Sequence, residues 1–187
     1  MTDRNKTTLY TGGHKGTEAE FGTCAARFGV SEVTLTFEGH QAERMENPRA
    51  LSEAELLRGD VSMEIVSKRM GRTYHSIEKM RRVLQLLFHM VNHSYHVFAV
   101  GWIQGDDTVQ GGTGWGVELA KFFNRPVSVY DQGRKEWASW QDGHWVPDTP
   151  VIPERPFAAT GTRNLSDDGR QAISDLFERS FGPPAGD

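Results

Sequence analysis

The sequence predicts an α/β domain of Rossmann-like type: three layers, a mostly parallel sheet between helices, and a small β-hairpin insertion. Three observations carry this expectation. Short β-prone runs alternate with helical patterns along the chain, the order that builds parallel strands joined by crossover helices. Two strand-to-helix junctions are crowded with glycine, "GGHKG" at 12–16 and "GGTGWG" at 111–116. An Asp-Gly pair stands between aromatic flanks in "WASWQDGHWV", the signature of a tight hairpin.

Each element has its own signal. "TTLYT" (7–11) reads as a short strand. In the segment that follows, Phe21, Cys24, Ala25 and Phe28 share one helical face, and Gly29 ends the helix as a C-cap. "SEVTLTFEG" alternates as a half-buried strand does. Ser52 and Glu55 have capping-box spacing for a short helix at 52–57. "VSMEIVS" (61–67) suits either a strand or a helix start. Residues 73–94 form the longest helical pattern, with Ile77, Met80, Val83, Leu84, Leu87 and Val91 as its apolar stripe. "YHVFAVG" (95–101) is a buried strand, 113–124 a helix, and "PVSVYD" (126–131) a strand. A hairpin at about 135–147 and a strand in "PFAATGTR" come next. A terminal helix capped by Ser166 or Asp167 closes the domain, taken as residues 1–182. The tail at 183–187 is expected to be disordered.

Composition narrows the function classes. The chain has 187 residues, enough for one domain with a substantial core, and 37% are hydrophobic. A net charge of −4 without long charged runs argues against general nucleic-acid binding. One cysteine, Cys24, excludes an internal disulfide. The N-terminus is polar, and no apolar run is long enough to span a membrane, so a cytoplasmic protein is expected.

The glycine junctions carry the functional expectation. Four glycines fall within six positions: Gly111, Gly112, Gly114 and Gly116. Glycine turns the chain tightly and lets a ligand approach the backbone. Amides at the helix start, with the helix dipole, then favour an anion. The first loop offers Gly12, Gly13, Lys15, Gly16 and Thr17, and the second offers Thr113 and Trp115 besides its glycines. A phosphate-bearing small molecule is the expected partner. Neither loop is a Walker motif, and neither has the glycine fingerprint of an NAD dehydrogenase. Tight packing alone is the competing explanation for such loops.

These motifs resemble the SLOG superfamily, and most of all its circularly permuted YpsA-like branch, some members of which are labelled molybdenum carriers. The likeness rests on "GGHKGTEAEFG" and "GGTGWGVELAKFFNRPVSVYD" and covers about residues 7–38 and 95–131. It implies a Rossmann-like fold and a nucleotide, nucleotide-sugar or NAD-derived ligand. Relatives include lonely-guy phosphoribohydrolases, and a homo-oligomer is implied as a leaning. Gln110 stands where those enzymes have proline, and Trp115-Gly116 follow the third glycine.

Glu118 and Glu18 are the candidate catalytic carboxylates, suited to binding a ribose or stabilising an oxocarbenium-like state. Each equally suits the role of a helix-start acid complementing the dipole. Asp131 ends a strand at the same edge, and Arg163 offers a fork of donors to a phosphate. Arg72 and Tyr74 stand near enough to the long helix to reach the site, with His75 beside them. His89, His93 and His96 lack a completing acid or cysteine, so no metal is expected. The readings left open are a nucleotide-binding or sensing module, an enzyme acting at an N-glycosidic bond, and a protein whose glycine loops only pack.

Overall fold

The computed structural model describes residues 1–74, 77–184 and 186. After a 3-10 turn at Arg4–Lys6, the strands are β1 (Thr8–Thr11), β2 (Ser31–Thr36), β3 (Arg49–Ala50), β4 (His96–Gly101), β5 (Val127–Asp131), β6 (Glu136–Gln141), β7 (His144–Pro147) and β8 (Phe157–Gly161). The helices are α1 (Thr17–Phe28), α2 (Glu53–Leu57), α3 (Asp60–Met70), α4 (Glu78–Asn92), α5 (Thr113–Phe122) and α6 (Asp167–Phe181).

The strands form one sheet in the order β3-β2-β1-β8-β4-β5-β6-β7. All pairings from β3 across to β5 are parallel, and β6 and β7 add an antiparallel edge. Strand alternation sends Val97 and Ala99 to one face and Phe98 and Val100 to the other. Helices α2 to α5 cover the first face, and α1 and α6 the second. The three-layer α/β expectation is therefore met.

Local signals place most boundaries. Gly29 adopts the left-handed conformation that closes α1. Ser52 and Glu55 form the full capping box of α2, and Ser166 Oγ accepts the Gly169 amide at 3.0 Å to start α6. Asp142 and Gly143 both have positive φ, as the tight turn between β6 and β7 requires. The ambiguous segment 61–67 lies inside α3, where Met63 and Val66 point into the core.

The long helix is shorter than its pattern. It begins at Glu78, and Ile77 and Met80 are exposed, so the apolar stripe starts further along. His75 and Ser76 lie outside the described residues. So do Ala185 and Asp187 of the tail, while the Pro183 carbonyl accepts Arg4 Nη2 at 3.1 Å. Among the described residues no helix is long and apolar enough to cross a membrane.

The position of β8 decides where a ligand can sit. The chain leaves β1 towards α1 on one face, and leaves β4 towards α5 on the other. β8 pairs with both β1 and β4 and lies between them. The connections diverge around its carboxyl end, the arrangement that opens a crevice in parallel α/β sheets.

Candidate functional site

A cavity of about 500 Å³ opens at that divergence. Gly111, Gly112 and Thr113 supply one rim, and Thr160 to Asn164, at the end of β8, another. α4 gives an apolar wall through Val83, Leu84 and Leu87, and Trp102 and Gln110 also line the space. A second cavity of about 280 Å³ adjoins it and shares His14, Val83 and Arg163. Lys15, His40 and Lys79 line that smaller space.

The second glycine loop divides into two parts. Gly111 and Gly112 face open space, and Gly111 holds a φ of 68°. The amides of Gly111, Gly112 and Thr113 make no hydrogen bond among the described residues, and they begin α5 at the cavity rim. Gly114 and Gly116 instead serve packing. A Cβ on Gly114 would fall on the Val109 carbonyl and lie 2.8 Å from Arg72 Nη1, and one on Gly116 would lie 3.1 Å from Leu87. Arg72 braces the loop by donating to the Gly111 carbonyl at 2.8 Å and the Val109 carbonyl at 3.0 Å. Tyr74 is turned to Asp60, its hydroxyl 2.6 Å from Oδ1. Trp115 is buried in the core beside Tyr74 and does not line either cavity.

The first glycine loop is spent largely on its own fold. The Gly13 carbonyl accepts the amides of Glu43 and Arg44. Gly16, at φ 91°, passes so close to residues 162–163 that a Cβ would lie 2.5 Å from the Thr162 carbonyl oxygen. Thr17 donates both its amide and its hydroxyl to that oxygen, at 3.1 and 2.9 Å. A Cβ on Gly12 would press on His14 and Glu18. At the mouth of α1 the His14 and Thr17 amides are thus used within the fold, while those of Lys15, Gly16 and Glu18 make no hydrogen bond among the described residues. Lys15, exposed, is the member of this loop that reaches a cavity along with His14.

Glu18 lines the larger cavity from beneath His14. One carboxylate oxygen accepts the His14 amide at 3.1 Å and its Nδ1–H at 2.7 Å. The other accepts the Thr160 hydroxyl at 3.0 Å. His14 Nε2 lies 2.9 Å from His40 Nε2, and His40 Nδ1 lies 3.0 Å from Thr36 Oγ1. A chain of polar contacts thus runs from β8 through α1 to the end of β2.

The electrostatics assign its protons. Burial disfavours a charged His14, but the charge of Glu18 and the hydrogen bond to it outweigh burial and the opposing Arg163, so its pKa is raised. Burial likewise disfavours an ionised Glu18, yet His14 and Thr160 hold its pKa below the ordinary value. Burial first, then the charge of His14, pushes His40 down to about 4. A single proton shared by the two rings therefore sits on His14, whose Nδ1–H donates to Glu18 and whose Nε2–H donates to His40 Nε2. His40 in turn donates Nδ1–H to Thr36.

Other expected site residues lie elsewhere. Glu118 does not line either cavity: its carboxylate pairs with Lys121 at 2.7 Å, both side chains nearly buried. Helix geometry explains this, since Thr113 at the rim and Glu118 five residues later are on different sides of α5. Asp131 caps the β5–β6 turn, accepting the Gly133 amide at 2.8 Å. Arg163 lines both cavities, exposed and without an ion pair among the described residues. His89 contacts the Glu55 carbonyl, His93 contacts Arg49, and His96 contacts Ser128. Among the described residues no three His, Cys, Asp or Glu side chains are grouped to hold a metal ion.

The sequence reading missed His14, His40, Trp102 and Thr160. The His14–Glu18 spacing of four was a usable signal, because such pairs meet on a helix start. Nothing local links His40 to residue 14, and the partly exposed Trp102 gave no pattern.

Fold and cavities define a Rossmann-like α/β protein with a crevice at the topological switch of its sheet. No family model matches the chain, and no curated protein matches it. Among solved structures it is similar to that of a "Putative molybdenum carrier protein" from Syntrophus aciditrophicus SB, at 12% identity and a TM-score of 0.50, over 91% of this chain and 92% of that one. The likeness is one of fold.

Proposed function

We propose that this chain binds a phosphate-bearing nucleotide or nucleotide derivative in the crevice, as a ligand-binding or sensing module of the SLOG type. The observation that carries this reading is the amphiphilic character of the paired cavities. The larger has the volume of a small-molecule site and an apolar wall, with Trp102 also in its lining, suited to a base. The smaller is bordered by Lys15, Lys79 and Arg163, none of which has an ion-pair partner among the described residues. The unbonded amides at the start of α5 add donors for an oxyanion.

The module reading is preferred to turnover at an N-glycosidic bond. Glu118 is engaged with Lys121, and Glu18 already accepts three hydrogen bonds, two from His14 and one from Thr160. Likeness in fold to a protein described as a molybdenum carrier is a reason to include molybdate, which has the tetrahedral oxyanion shape of phosphate. A thermal-shift screen of nucleoside mono- and diphosphates, NAD, ADP-ribose and cyclic nucleotides, with and without molybdate, tests the reading. Binding in excess stabilises by several kcal/mol. The expected result is a shift from one nucleotide class that Arg163→Gln diminishes. No shift across the panel overturns it.

A further inference from the structure

We propose that the smaller cavity is an oxyanion subsite that takes up a tetrahedral dianion together with one proton, the proton being carried by the His14–His40 pair. The proposal rests on the nucleotide reading only in naming where a phosphate would sit.

Two features of the cavity lead to it. First, Lys15, Lys79 and Arg163 line it without counter-ions among the described residues, and Glu43 is the only carboxylate in the described lining. A cationic rim of this kind is short of negative charge. Second, two imidazoles meet there nitrogen to nitrogen, at 2.9 Å. Such a contact needs one N–H and one lone pair, so the pair cannot hold it once both Nε2 atoms are protonated. Glu18 accepts from His14 Nδ1 behind the contact and raises that ring's pKa, and the Phe37 ring lies against His40, centroids 4.8 Å apart.

A dianion in this space changes the balance. Burial and then the charge of His14 now keep the second proton off His40, and a bound dianion offsets both by facing the imidazole with negative charge. The His40 Nε2 lone pair accepts a proton from water, and the contact between the imidazoles opens. Both Nε2–H groups then donate to the anion. The net change is one dianion bound and one proton taken from solvent. Affinity therefore rises as pH falls, by about tenfold per unit where the linkage is complete.

Sulfate is the probe, because it stays a dianion throughout the range and every proton taken up belongs to the protein. Histidine side-chain NMR would be followed against pH with saturating sulfate and with sodium chloride at equal ionic strength. The expected result is a titration of His40 displaced upward by about one unit or more in sulfate. Sulfate affinity should fall about tenfold per pH unit where one proton is linked, and His40→Asn should flatten that slope while sulfate still binds. A His40 titration identical in the two salts, or an affinity independent of pH, overturns the proposal. Nucleotide binding with such a result leaves the nucleotide reading standing without proton uptake. Sulfate linkage without any nucleotide shift leaves the subsite standing without the nucleotide.

Discussion

The Glu118 carboxylate receives Lys121 Nζ at 2.7 Å, and the same ammonium lies 3.8 Å from the centre of the Trp140 ring. Lys121 also donates to the Asp107 carbonyl at 2.9 Å, and Trp145 Nε1–H donates to that oxygen at 3.0 Å. One buried cation thus ties α5 to the β6–β7 hairpin and to the turn leading into the glycine loop. Replacing Glu118 with Gln leaves this charge without its counter-ion. The expected cost is about 3 kcal/mol, read as a lowered urea midpoint, with affinity for nucleotide unchanged. Weakened binding at undiminished stability would place Glu118 in the site after all.

The two halves of the second glycine loop should respond differently to alanine. Gly112 has ordinary helical φ and open space around it, so Gly112→Ala should leave the melting temperature nearly unchanged. Its methyl group protrudes at the cavity rim and should weaken ligand binding in calorimetry. Gly114→Ala drives a Cβ into the Val109 carbonyl and the Arg72 guanidinium. It should destabilise by about 2 kcal/mol or more, as overpacking does. Equal effects at the two positions would remove the distinction between site glycine and packing glycine.

Arg163 and Trp102 test the two ends of the crevice separately. Arg163 is exposed and has no ion pair among the described residues, so Arg163→Gln should cost little stability while weakening a phosphate-bearing ligand by about tenfold, the scale of one charge-assisted hydrogen bond. Trp102→Ala should weaken a nucleotide by roughly 1–3 kcal/mol if a base stacks there, and leave affinity for sulfate unaltered. Sulfate and nucleotide losing affinity alike in Trp102→Ala would argue against a base beside this ring.

Stability should fall on the acid side. His40 and His96 are both lowered to about 4, burial being the first cause in each. Between 6.5 and 4 the unfolded chain binds protons that the folded chain does not, so stability is lost as pH drops through that window. Glu18, whose pKa is lowered, adds stability that is present above 4.5 and lost as pH falls through its folded value. His14 works in the other direction: its raised pKa gives stability present below 6.5 and lost as pH rises through its folded value. For His96 the displacement from 6.5 to about 4 corresponds to about 3 kcal/mol at full protonation. Urea midpoints from about pH 4 to 8 for the parent and His96→Gln check this, the variant being expected to lose less on acidification.

Much of the fold was legible because its signals are local. The capping box at Ser52, the left-handed Gly29 and the Asp142-Gly143 turn each act within a few residues. The apolar runs in 96–101 and 127–131 follow from burial on both faces of a strand. The 61–67 segment was not legible, since Val61 and Ile65 are exposed apolar residues that blur the helical period.

The site divides along the same line. By itself the sequence determined which loops carry glycine, where the capped helices α2 and α6 begin, and that Arg163 follows a strand, because turn chemistry and capping are written in neighbouring residues. Only the tertiary structure decided that β8 lies between β1 and β4, which brings Thr160 to Glu18 and Arg163 to His14 across more than 140 residues of chain. It alone turned Glu118 and Trp115 away from the crevice and set His40 against His14. The physical reason is that strand order and helix rotation are fixed by burying two apolar faces against one sheet, a global condition to which no short stretch of sequence has access.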